Sequence, residues 1–393
     1  MGKYLLPGFI DLHTNGIAGF DFTSGQFNPD TGDFASDERA YTEGLEAVSR
    51  AYVRTGVTRA VLTSLAAPIG QLKTAFRHFC GYKTGRREPP WNDVLYGINI
   101  EGTFIQSARF GGAHNPDYFM EPSAALFDEL QEASGGLIKI VNVAPEWGEP
   151  ALHLIEYLTS KGIVCAAGHT GATGDQYRRA ISSGLRLAVH FLNGPTGSSA
   201  KSLGGGGATE SVLRAEEMFA ELIVDGYHVD TSYVRDTIRR KGFDKIVAIT
   251  DSMFAAAYAG LKKFRLLGVE GTVSPTGEYL HIAGREDSLF GSLLTMDAAF
   301  ANLVTWLTTP LEGVWNRVHE PLEFGDALAN ASAMCSRNPA TLLGIYGPGK
   351  ESDARTGSIE VGKSADILVA DIERSGGRIN LKIDRVFVRG HLV

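Results

Sequence analysis

The sequence is short of cysteine, of long apolar runs and of concentrated positive charge. Only three cysteines occur in 393 residues, Cys80, Cys165 and Cys335, far apart and in no paired metal spacing. They read as reduced interior thiols, so neither a disulfide framework nor a cysteine-ligated metal is expected. No apolar stretch reaches the roughly 18 residues that a spanning helix needs. The opening Met1-Gly2-Lys3-Tyr4-Leu5-Leu6-Pro7 is too short and too soon broken for a signal peptide. A cytoplasmic protein with no membrane partner is the expectation. The 37 basic residues, scattered against 45 acidic ones for a formal charge of -8, form no stripe that would follow a phosphate backbone, so nucleic acid is not an expected partner. No Gly-x-Gly-x-x-Gly follows an early strand, which argues against a dinucleotide fold.

Glycine is in excess, at 47 residues or about 12% against a usual share of roughly 7%, and most of it punctuates short apolar runs. Those runs are Leu6 to Asp11, Val57 to Thr63, Leu95 to Glu101, Ile138 to Ala144, Ile163 to Ala167, Leu185 to His190, Leu222 to Asp225 and Ile246 to Asp251. Mostly unbroken by polar alternation, they suit strands buried on both faces of a parallel sheet. Between them lie stretches with helical spacing, such as Glu43 to Thr55, Ser123 to Ala133, Ala151 to Lys161, Asp175 to Ser183 and Thr231 to Lys241. About eight strand-helix units within some 250 residues predict an α/β fold of the (β/α)8 TIM-barrel type over residues 6–340.

From Thr356 onward short β-rich runs at Ser358 to Glu360, Ile367 to Asp371 and Val386 to Arg389 predict a small β unit made of residues 1–5 and 341–393. Gly197 to Thr209, with four consecutive glycines at Gly204 to Gly207, has no periodicity and reads as a loop. Phe264 to His281 reads as a hairpin insertion.

The polar residues are placed tellingly. His13, Glu101, His169, His190 and Asp251 stand at or just past the ends of predicted strands, with His228 two residues beyond a sixth. In a barrel those ends share one cavity, so residues distant in sequence converge there. Taken singly, each is more often a structural hydrogen-bonding residue. As a set, two His and one Glu offer N and O donors that suit zinc or a similar divalent ion with one position left for water. Asp251 is then placed as general acid or base beside a metal-bound water, although Asp-Ser before Met253 to Tyr258 is equally a helix N-cap sequence.

Pro7-Gly8-Phe9-Ile10-Asp11-Leu12-His13, Ile100-Glu101-Gly102, Gly168-His169-Thr170-Gly171-Ala172-Thr173, His190-Phe191-Leu192-Asn193 and Thr250-Asp251 resemble the metal-dependent amidohydrolase superfamily. Gly112-Ala113-His114-Asn115-Pro116, Asp225-Gly226-Tyr227-His228-Val229 and Gly291-Ser292-Leu293-Leu294-Thr295-Met296, in this order, are more particular, and resemble the N-acetylglucosamine-6-phosphate deacetylase family within it. The resemblance covers nearly the whole chain. It implies that Glu101, His169 and His190 hold one divalent metal per subunit, zinc before iron, manganese or cobalt, and that Asp251 activates its water. It implies further that His114, acting in catalysis, and Ala113 lie against an N-acetyl amino sugar. Asn193, Gly194 and His228 would also meet this small-molecule substrate, and Leu289, Phe290 and Gly291 would line its cavity. A homodimer is implied as well.

The chain departs from that pattern at four points. His13-Thr14-Asn15 keeps one of the two histidines used for a second metal, so His13 is a vestigial ligand or a structural residue and a single-metal site is expected. Lys201 stands where the family presents an arginine to phosphate, and a lysine lacks the bidentate fork. The loop around Lys201 is richer in Gly and Ser than the family pattern. Only six residues precede Pro7, which implies a reduced β unit. Three readings follow: a deacetylase of N-acetylglucosamine 6-phosphate; an amidohydrolase for another N-acyl amino sugar, unphosphorylated or galacto-configured; and a barrel that has lost turnover. The joint presence of Glu101, His169, His190 and Asp251 disfavours the last.

Overall fold

A computed structural model of the chain describes residues 3–85, 91–193, 205–347 and 355–393. Eight parallel strands lie in sequential order in one sheet: β1 (Phe9–Thr14), β2 (Val57–Ser64), β3 (Leu95–Phe104), β4 (Ile138–Val143), β5 (Val164–Ala167), β6 (Leu185–Ala188), β7 (Phe219–Ile223) and β8 (Ile246–Ile249). β1 and β8 are joined by backbone bonds at the site end, where Asp251 N–H donates to the His13 carbonyl at 2.8 Å. The predicted (β/α)8 barrel is therefore realised. Its strands lack polar alternation because each is covered by helices outside and filled by side chains within.

Each strand is followed by a helix of the outer layer: α1 (Glu38–Arg54), α2 (Ile69–Gly85), α3 (Ala124–Ala133), α4 (Glu149–Ser160), α5 (Gly174–Ser183), α6 (Ala208–Arg214), α7 (Thr231–Lys241) and α8 (Met296–Leu307), with further short helices at Trp91–Val94, Phe324–Ser332 and Asn338–Leu342. Their starts are set locally. Asp37 accepts the N–H groups of Arg39 and Ala40 ahead of α1, and Thr173 with Gln176 forms a capping box ahead of α5. Among the described residues no helix is long and apolar enough to cross a membrane.

Several boundaries differ from expectation. β7 begins at Phe219, three residues before the run Leu222 to Asp225, and so takes in Glu221. Ser358 to Glu360 is not a strand. The Phe264 to His281 insertion is larger than a hairpin: four antiparallel strands, Lys263–Leu266, Val269–Val273, Leu280–Ile282 and Arg285–Leu289, stand between β8 and α8. A second insertion of four very short strands between Gly16 and Ala35 separates β1 from α1. Strands of two or three residues carry no period to read. At the tail, Ile367–Ser375 and Arg378–Val388 pair with each other, and Tyr4–Pro7 adds antiparallel to Ile367–Ala370. This small sheet rests on α8, where Ile379 N–H donates to Thr305 Oγ1 at 2.9 Å.

The first insertion carries a pH-dependent term in stability. Asp21 is fully buried and accepts the N–H groups of Thr23 and Ser24 at 3.0 and 2.7 Å. Burial pushes its carboxyl up to about 7, against those bonds. The native state therefore keeps a proton that the unfolded chain releases near pH 4. Stability from this group is complete below about pH 4 and is lost as pH rises through about 7, a change of order 4 kcal/mol. Asp21→Asn removes the term: urea unfolding of the two proteins should give a stability difference that moves in favour of the variant from pH 4 to 7. A constant difference would show that Asp21 does not titrate there.

Candidate active site

Glu101 projects from β3, His169 stands two residues past β5, and His190 two past β6. Their reactive atoms meet: Glu101 Oε1 is 3.0 Å from His190 Nε2 and 3.2 Å from His169 Nε2, and the two Nε2 atoms are 2.9 Å apart. The other nitrogen of each ring is committed. His169 Nδ1 donates to the Phe110 carbonyl at 2.8 Å and His190 Nδ1 to the Asn193 carbonyl at 2.9 Å. A carbonyl can only accept, so both Nδ1 atoms carry a proton and both Nε2 atoms face each other and a carboxylate, as lone pairs when the rings are neutral; burial lowers the His190 ring, but its bond to Glu101 outweighs that and raises it. Three buried acceptors at this spacing repel unless a cation lies among them, and they form a group able to hold a metal ion. Burial depresses the His169 ring to about 4, consistent with a neutral ligand. It also pushes Glu101 upward, but His13 and His114 outweigh that and hold the carboxyl well below its usual range.

The backbone is bent to make this convergence. His169, His190 and Asp251 have φ of 51°, 27° and 49°. Non-glycine residues avoid this region at a cost of about 1 kcal/mol or more each, and such strain gathers at functional sites. Gly102 is needed for a different reason. A Cβ there would lie 2.2 Å from Ala66 N and 2.6 Å from His114 Nδ1, where Ala66 N–H donates to His114 Nδ1 at 3.2 Å. Because Nδ1 accepts, the proton of neutral His114 is on Nε2, which lies 3.4 Å from Glu101 Oε2.

Asp251 Oδ1 accepts from Asn15 Nδ2 at 2.8 Å. Burial raises the Asp251 carboxyl above its ordinary value, with His13 opposing. No helix follows it, so the N-cap reading of Asp251 is not realised. His13 is fully buried among three carboxylates: Nδ1 is 3.0 Å from Glu221 Oε2, and Nε2 is 3.4 Å from Glu101 Oε2 and 3.5 Å from Asp251 Oδ1. Glu221 Oε2 also accepts the His190 N–H at 3.1 Å, tying the floor of the site to the loop after β6.

A cavity of about 690 Å³ opens over this cluster, a size suited to a small organic ligand. Ala113, His114, Asn193, His228, Leu289, Phe290 and Gly291 all line it with Glu101, His169, His190 and Asp251. Gly194 and Lys201 lie outside the described residues.

Some supporting residues escaped sequence reasoning. Asn142 on β4 donates through Nδ2 to the Glu101 carbonyl at 2.8 Å and accepts the Gly168 N–H at 2.8 Å, bridging β3 to the His169 loop. Glu146 accepts from Thr170 Oγ1 and, at 2.8 Å, from Gly171 N–H. Together with Asn15 and Glu221 they act across strands, and only the interruption of an apolar strand, as by Glu221 in Phe-Ala-Glu-Leu-Ile, could have marked them.

The chain matches the model of the Amidohydrolase family over residues 4–393. It is 32% identical over 305 residues to the N-acetylglucosamine-6-phosphate deacetylase of Lysinibacillus sphaericus, covering 77% of this chain and 71% of that one. It is 30% identical over 390 residues to the N-acetylgalactosamine-6-phosphate deacetylase of Escherichia coli O157:H7, covering 99% and 88%. Among solved structures, the N-acetyl-D-glucosamine-6-phosphate deacetylase of Mycobacterium smegmatis superposes with a TM-score of 0.78 at 25% identity, over 100% of this chain and 88% of that one. The protein belongs to the amidohydrolase family.

Proposed function

We propose that this chain is a metal-dependent hydrolase that removes the acetyl group from N-acetylglucosamine 6-phosphate, giving acetate and glucosamine 6-phosphate. The observation that carries the reading is the meeting of Glu101 and the two histidine Nε2 lone pairs beside a buried, singly held carboxylate, in a chain whose relatives bear deacetylase names. A divalent ion held by Glu101, His169 and His190, zinc by preference, would supply Lewis acidity to the acetamide carbonyl and to water. Asp251 has Oδ1 engaged by Asn15, so Oδ2 is left to take the proton of the attacking water and return it to the departing amine. Water adds to the carbonyl carbon, the C–N bond breaks, and one proton is passed from water to nitrogen. His114, with Nδ1 occupied by Ala66 N–H, presents Nε2–H to the oxygen that gains charge. Ala113, Asn193, Gly194, Leu289, Phe290 and Gly291 would hold the acetyl sugar, with Lys201 on the phosphate across a cytoplasmic homodimer. Galacto-configured substrate is a second reading, favoured by the 30% identical relative of that name.

Acetate release from N-acetylglucosamine 6-phosphate, N-acetylgalactosamine 6-phosphate and unphosphorylated N-acetylglucosamine, with a metal-stripped control, decides between them. Metal-dependent turnover highest on the first supports the proposal. Preference for the second assigns the galacto sugar, and equal rates with and without phosphate remove the phosphate from the substrate class.

A further inference from the structure

We infer that Asn142 and Glu146, which stand outside the group of metal donors, are positioning residues that hold the His169 segment in the conformation that presents its Nε2 to the metal. Both come from β4 or from the turn Pro145–Trp147 after it, the part of the barrel between Glu101 on β3 and His169 past β5. The segment they hold is strained, because His169 has φ of 51°, in the left-handed region that residues with a Cβ avoid. Nothing within the residue favours that turn, so it must be held from outside. Asn142 and Glu146 take three of the segment's hydrogen-bond donors. Ahead of His169, the Gly168 N–H donates to Asn142 Oδ1 at 2.8 Å; behind it, the Gly171 N–H donates to Glu146 Oε1 at 2.8 Å and the Thr170 hydroxyl to Glu146 Oε2. Asn142 is fully buried, and its partners fix which way its amide points: the Gly168 N–H can only donate, and the Glu101 carbonyl, which receives Asn142 Nδ2 at 2.8 Å, can only accept. One amide thus ties the backbone of Glu101 to the backbone beside His169, and helps to set the 3.2 Å between Glu101 Oε1 and His169 Nε2. The ring is aimed separately, by the Phe110 carbonyl at Nδ1. A strand that supplies no donor to the metal is therefore the template on which two of the donors are spaced.

The inference rests on the metal-dependent reading above and does not depend on which acyl sugar is cleaved. Its test is the zinc dissociation constant, measured by chelator competition on the intact protein. Glu146→Ala should raise that constant by about ten- to a hundredfold. Glu146→Gln should bring it back to within about threefold of the wild type, because the amide oxygen still accepts the Gly171 N–H and the NH2 group donates to Thr170 Oγ1. Both variants lose the same negative charge, so the difference between them reads geometry alone. Asn142→Ala should weaken zinc by about as much as Glu146→Ala, and where it fails to fold the Glu146 pair decides. A purely structural role would lower the Tm of the metal-free protein and leave the zinc constant where it was. The cobalt-substituted protein gives a second readout: its visible absorption bands should shift in Glu146→Ala and match the wild type in Glu146→Gln. Zinc affinity unchanged in Glu146→Ala, or as weak in Glu146→Gln as in Glu146→Ala, would overturn the inference and leave the proposed function standing. A wild-type chain that holds neither zinc nor another divalent ion would sink both.

Discussion

Asp251→Asn should lower kcat for N-acetylglucosamine 6-phosphate by about 10³-fold or more, with metal content unchanged and KM altered little. An asparagine of the same shape can still be held by Asn15 through its oxygen, as Asp251 is at 2.8 Å. Its free end is then an NH2 group, which cannot take a proton from water and so cannot return one to the leaving nitrogen. Both halves of the reaction lose their proton carrier at once. The substitution also removes a buried charge from beside His13 and Glu101. For that reason the metal content of the variant must be measured in parallel, so that a lost ion is not read as a lost base. Activity within tenfold of the wild type, at full metal content, would place the proton carrier elsewhere; the buried carboxylates nearby, Glu101 and Glu221, are already committed to histidines.

The asymmetry between what the sequence declares and what it conceals has a physical basis. Strand existence is legible because burial on both faces demands unbroken apolar runs, and the break in each run falls where the strand leaves the barrel wall. That is how His169, His190 and Asp251 stand out, and the left-handed backbone at all three is a consequence of the same exit. Asn15, Asn142 and Glu221 are different. Each works by reaching an atom on another strand: Asn15 to Asp251, Asn142 to Glu101 and Gly168, Glu221 to His13 and His190. Their meaning lies in a register that no single segment specifies. Helix α2 was readable in principle, since Leu72, Ala75, Phe76, Phe79 and Tyr82 form its buried stripe. The short strands between Gly16 and Ala35 were not, because tertiary contacts rather than propensity hold strands of two or three residues.

His190→Ala should abolish activity and reduce bound metal, measured by mass spectrometry after dialysis, from about one ion per chain to a small fraction. It deletes one Nε2 from a set of three donors that lie 2.9 to 3.2 Å apart, leaving Glu101 and His169 as a two-point site. The same set predicts a signature independent of turnover. In the metal-free wild type the two lone pairs and the carboxylate face one another, so the ion should stabilise the fold by mass action, about 4 kcal/mol at a thousandfold excess over Kd. A chelator should therefore lower the wild-type Tm by several degrees and leave that of His190→Ala unmoved. His13→Ala supplies the contrast. The His13 ring lies within 3.5 Å of Glu101 and Asp251, yet its Nδ1 is taken by Glu221, and it lies outside the group of donors that converge. If His13 is structural, this variant keeps its metal and its chelator-sensitive Tm while losing stability to the void and to the uncompensated Glu221. If metal falls as far as in His190→Ala, His13 is a ligand and the site holds its ion with four protein donors.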